Sequence, residues 1–87
     1  MDDKNLKYKI ESATLRRLIK HLQENTDLQN IDLMNLAGFC RNCISKWIVE
    51  EAKKNKVDLD YEKVRSDVYG MNYQEWKKKF QKPIDNK

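Results

Sequence analysis

Between residues 33 and 48 the apolar side chains return with the period of an α-helix. Leu33, Leu36, Ala37, Cys40, Ile44, Trp47 and Ile48 fall at spacings of three and four, so at about 100° per residue they share one arc. Phe39 and Cys43 widen that arc. A surface helix needs an apolar stripe of only ~100°, and the excess predicts burial against two neighbours, one of them a second copy of the chain. Only two glycines and one proline interrupt 87 residues, and Val and Ile form no alternating runs. The expected fold is therefore all-α: a four-helix small domain with one long central helix, packed as a homodimer.

The end signals place the helices. Leu15, Leu18, Ile19 and Leu22 define an amphipathic helix over residues 10–24, with Arg16, Arg17 and Lys20 on its wet side. The central helix spans 31–54, capped by Asn30 or Asp32 and closed by cations at Lys53 and Lys54. Its opposite face holds Asn35, Gly38, Asn42, Ser45 and Lys46. A third helix over 60–69 carries Tyr61, Val64 and Val68, with Gly70 just past its end. A fourth over 73–81 has Asn72 as cap, Glu75 three residues on, and Met71 and Trp76 at the two staple positions. Tyr73, Trp76 and Phe80 form its inward edge, and Pro83 stops it. Gly38 is the awkward residue. Kept helical it costs ~1 kcal/mol relative to Ala. The apolar period passes it without a phase shift, so a continuous helix is expected; the alternative is a break at Gly38, which would set Cys40 near a fresh N-terminus and lower its thiol pKa.

A chain of 87 residues makes one domain, 1–87, with flexible ends expected at 1–8 and 83–87. Its core is thin, because a chain this short buries only ~60–65% of its unfolded surface. Charged residues make up 37%, mean hydropathy is -0.97, and no run approaches the ~20 apolar residues of a spanning helix. Met1-Asp2-Asp3-Lys4 lacks the layout of a signal peptide. The expectation is a cytoplasmic protein with no membrane contact. The net charge of +4 permits nucleic-acid binding without arguing for it. A helix-turn-helix reading of Leu33 to Val49 is weak, since its segment after Gly38 carries only Arg41 and Lys46 as cations. Lys77, Lys78 and Lys79 read as a solvated face, and His21 as an exposed histidine.

Cys40 and Cys43 are the residues that can carry chemistry. On one helix face their Cβ atoms would lie ~5–6 Å apart, wider than the ~3.5–4.5 Å of a disulfide. A zinc site needs about four ligands, and the pair supplies two unless a second copy adds its own. A thioredoxin-type site puts this spacing at a helix N-terminus after a strand, and no strand is expected. Three readings stand: buried thiols acting as small hydrophobes, a metal site with zinc as the candidate, and redox or nucleophilic chemistry. Arg41, Asn42 and Asn35 are candidates for a polar site beside the thiols.

The run Gln29-Asn30-Ile31-Asp32-Leu33-Met34-Asn35-Leu36-Ala37-Gly38-Phe39-Cys40-Arg41-Asn42-Cys43, followed by Ser45-Lys46-Trp47, Val68-Tyr69-Gly70-Met71 and Glu75-Trp76, closely resembles the short bacterial proteins of domain-of-unknown-function family 1244, over about residues 10–82. The resemblance implies an all-helical, dimeric protein and assigns no activity, cofactor or ligand. The leading functional expectation is a homodimeric structural or ligand- or partner-binding module centred on Cys40 and Cys43, without catalysis. The alternatives are a thiol- or metal-dependent enzyme or redox protein using those two residues, and a nucleic-acid accessory protein.

Overall fold

A computed structural model describes residues 3–83. Among them the regular structure is entirely helical: α1 (Asp3–Glu24), α2 (Asn30–Ala37), α3 (Arg41–Lys54), α4 (Tyr61–Tyr69) and α5 (Tyr73–Phe80). The helix expected from residue 10 begins at Asp3, and every residue from 3 to 18 is exposed. At 1.5 Å per residue α1 is about 33 Å long. Only its last turns, through Ile19 and Leu22, enter the core. The expected flexibility at 1–8 and 83–87 falls in part on residues 1, 2 and 84–87, which lie outside the described residues.

The long central helix is present in two pieces. Gly38 turns left-handed, with φ 78° and ψ 13°, and donates its N–H to the Met34 carbonyl at 3.0 Å. This is a glycine C-cap rather than the continuous helix over 31–54 that the apolar period predicted. Phe39 follows outside any helix, Cys40 runs extended, and α3 starts at Arg41. The break redirects side chains that the single arc would have buried. Leu36 is 85% exposed, and Ala37 is exposed beside it. Conversely Ser45, expected on the polar face, has no exposed surface and donates to the Arg41 carbonyl at 3.0 Å. The cap of α2 also differs from the expected Asn30 or Asp32. Gln29 takes that position and donates its N–H to the Asp32 carboxylate at 3.2 Å.

Helix α4 is the element around which the others gather, packing on α1, α3 and α5. The core comprises Ile19, Leu22, Leu33, Cys40, Ile44 and Val68, flanked by Leu28, Phe39, Cys43, Ile48 and Val64. Trp76 closes one side, edge-on to Tyr69 at 5.1 Å. The start of α5 follows the sequence signals: Asn72 accepts from the N–H of Gln74 at 2.9 Å and of Glu75 at 3.4 Å. The α1–α4 junction is polar. Gln23 donates its side-chain amide to the carbonyls of Asp67 and Val68 at 3.0 and 3.1 Å, which satisfies acceptors that the end of α4 leaves open.

Gly38 and Gly70 share a left-handed backbone but differ in surroundings. An added Cβ at Gly38 meets nothing within 4 Å, whereas at Gly70 it comes within 3.0 Å of the Gln23 amide. Gly38→Ala is expected to lower stability by ~1–2 kcal/mol through backbone conformation alone. Gly70→Ala is expected to cost more, because the Gln23 bonds are disturbed as well. Urea melts of both variants check this. A continuous central helix would reverse the sign at Gly38, where Ala would stabilise.

Candidate functional site

Cys40 is the N-cap of α3, and Arg41, Asn42 and Cys43 form its first turn. Arg41 points into the corner between the end of α1 and the start of α2. It is 1% exposed, and two of its nitrogens donate four hydrogen bonds. Nη1 reaches the Leu28 carbonyl at 2.7 Å and Asn30 Oδ1 at 3.1 Å. Nη2 reaches the carbonyls of Leu22 at 3.1 Å and Asn25 at 3.0 Å. The guanidinium carbon stands 4.9 Å from the centre of the Trp76 ring. No carboxylate among the described residues pairs with it. The charge is held by oriented carbonyls at the negative end of α1 and by an aromatic face. Burial lowers the Arg41 pKa, with nearby Tyr69 and Cys40 opposing.

Asn30 carries the network onward. Its Oδ1 accepts from Arg41 while its amide donates to the Tyr69 hydroxyl at 2.9 Å. Tyr69 in turn donates to Asn42 Oδ1 at 2.7 Å. Burial pushes the Tyr69 phenol above its ordinary value, which keeps it neutral and able to donate. Gln29, also buried, ties the end of α5 to the start of α2. Its side-chain amide donates to the Phe80 carbonyl at 2.9 Å, and its Oε1 accepts from the Lys82 N–H at 2.8 Å.

The sequence candidates therefore separate. Cys40 and Cys43 lie together, both free, with Sγ atoms 3.8 Å apart. Cys40 is buried and Cys43 is half-buried, its Sγ 3.9 Å from Met34 Sδ. Arg41 and Asn42 belong to the polar network. Asn35 is exposed on α2 and makes no side-chain hydrogen bond to the other described residues. His21 is exposed on α1. Among the described residues no group of three or more His, Cys, Asp or Glu side chains is gathered as metal donors. The two thiols could offer two sulfurs to an ion that found its other donors elsewhere.

Asn30, Tyr69, Trp76 and Gln29 were not singled out as site residues. Asn30 read as a helix cap, and the aromatics as core. Arg41 was legible as a candidate beside the thiols but not as a buried group, because a buried arginine without a carboxylate leaves no charge pattern in the sequence. Burial raises the Cys40 thiol pKa. The N–H groups of Asn42 and Cys43 at the start of α3 pull the other way without overcoming it.

These features define a small helical protein in which a glycine break and a buried arginine set up a two-thiol turn. The family described as protein of unknown function, DUF1244, matches residues 28–87. The chain belongs to that family. The match contains the glycine break, both thiols and the Asn30–Tyr69–Asn42 relay, and α1 precedes it. No curated protein matches the chain.

Arg41→Met would strand the carbonyls of Leu22, Asn25 and Leu28, each at ~1–3 kcal/mol if buried without a partner. The expected loss exceeds about 3 kcal/mol, a drop large enough to be obvious in a thermal melt. Cys40 and Tyr69 predict the pH response. Both hold their protons more tightly folded than unfolded, so above about pH 9 the unfolded chain has lost protons that the folded chain retains. Stability is expected to be flat from neutral pH to about 8 and to fall as pH rises beyond 9. Urea midpoints across that range measure it.

Proposed function

We propose that the chain is a cytoplasmic, homodimeric helical module whose Cys40/Cys43 turn serves as a structural or partner-contacting centre. The observation that carries this reading is an apolar groove of about 360 Å³ between α1 and α3, lined by Leu15, Leu18, Phe39, Ile44, Trp47 and Ile48. Trp47 is 50% exposed, and Leu15 and Leu18 stand open on the opposite wall. Nearer the start of α1, Leu6, Tyr8 and Ile10 are also exposed. A second copy is the occupant that accounts for both surfaces. Two-fold pairing is self-complementary, so one contact covers the groove and the α1 arm of each protomer. Tryptophan and leucine at the centre, with charged residues outside, is the composition of an obligate interface.

No helix among the described residues is long and apolar enough to cross a membrane. Sedimentation equilibrium of the wild type is expected to give a dimer at micromolar concentration. Leu18→Glu combined with Trp47→Glu is expected to give a monomer with unchanged far-ultraviolet circular dichroism. A wild type that sediments as a monomer, or a double variant that stays dimeric, removes the reading.

A further inference from the structure

The dimeric reading makes no use of sulfur chemistry, yet the two thiols are placed for it. With both cysteines inside one helix their Cβ atoms would sit ~5–6 Å apart, and bridging them would unwind a turn. The left-handed turn at Gly38 removes that obstacle. Cys40 stands outside α3 in extended conformation, with φ -142° and ψ -175°, while Cys43 lies in the first turn. Their sulfurs are 3.8 Å apart and must close to about 2 Å to bond. The Cys40 backbone is anchored meanwhile, since its carbonyl accepts from Ile44 N–H at 3.2 Å. The approach therefore falls to the side chains and to a residue that is not helical.

The two sulfurs also differ in access. Cys40 is 7% exposed and packed into the core, whereas Cys43 lies at the core's edge beside the exposed Met34. A reagent from solvent meets Cys43 first. We propose that Cys40 and Cys43 form a reversible dithiol–disulfide pair, in which Cys43 exchanges with a low-molecular-mass disulfide and Cys40 resolves the product.

The Cys43 thiolate attacks one sulfur of the incoming disulfide. That S–S bond breaks, a thiolate leaves, and Cys43 carries a mixed disulfide. Cys40 then gives its proton to solvent and attacks Cys43 Sγ, and the second thiolate departs as the Cys40–Cys43 bond forms. The two cysteines lose two electrons and two protons. The oxidant gains the electrons and leaves as two thiols. Burial makes Cys40 hold its proton, which slows its attack. The bond forms one residue from Phe39, whose ring lies 5.8 Å from that of Trp47, so tryptophan emission reports the closure.

The test equilibrates reduced full-length protein with mixtures of reduced and oxidised glutathione, quenches with acid, alkylates the remaining thiols under denaturing conditions, and weighs the chain. The expected wild-type product is an intramolecular disulfide, detected as the loss of two hydrogens and of both alkylation sites. Dithiothreitol should reverse it, and tryptophan emission should change in step. The folded chain is expected to favour the disulfide over the chain in urea by about tenfold, because folding holds the sulfurs close. Cys40→Ser is expected to stop at a glutathione adduct on Cys43. Cys43→Ser is expected to form its adduct on Cys40 far more slowly. The proposal is overturned if the folded wild type forms only glutathione adducts or interchain disulfides, if urea leaves the equilibrium unchanged, or if the variants react in the reverse order. Circular dichroism confirms that each variant is folded, and the wild-type comparison with urea stands without them. Self-association is read separately, by sedimentation in reductant, so failure of the dimer and failure of the dithiol pair are distinguishable.

Discussion

The structure depends on how one positive charge is kept out of water. A buried guanidinium without a carboxylate is costly unless its donors are satisfied. Arg41 meets this demand with backbone carbonyls from the last turn of α1 and the connection beyond it. Those carbonyls are themselves left over where a helix ends. Donor and acceptors each need the other, and the start of α3 is thereby fixed against the end of α1. Asn30 and Trp76 extend the constraint to α2 and α5.

That corner explains why the two thiols lie where they do. Arg41 is the first residue of α3, so fixing it fixes the residue before it and the turn after it. Gly38 supplies the reversal that lets the chain arrive there. The result is a four-residue turn whose polar members serve the fold and whose sulfur members share an apolar edge. Asn42 completes the arrangement, since accepting from Tyr69 holds the first turn of α3 against α4.

Much of the fold was legible in residue order. The cap of α5 and the glycine after α4 reflect local physics, and each reappears in place. The break at Gly38 was legible only as the lesser alternative, because the apolar period argued against it. A 3.6-residue period can be carried across a short interruption by residues that fill the same core from either side, and Leu33, Cys40 and Ile44 do so. Leu36 shows the error most plainly: it fits the arc and faces outward. At the site, the pairing of Cys40 with Cys43 could be read from spacing, but its geometry could not, since that rests on the same break. Asn30 and Tyr69 stand 39 residues apart, and nothing local announces that they meet.

Arg41 takes from α1 only main-chain oxygens. A carbonyl is the same on every residue, so this contact does not read the letters of α1, only the place where its spiral stops. Substitutions along the helix can accumulate without costing Arg41 a partner, provided the terminus stays put. An inserted or deleted residue near Leu22 or Asn25 would be another matter, because it would rotate the acceptors by about 100°. The first helix is thus tolerant in spelling and strict in length, whereas the segment from Asn30 to Cys43 is constrained in both.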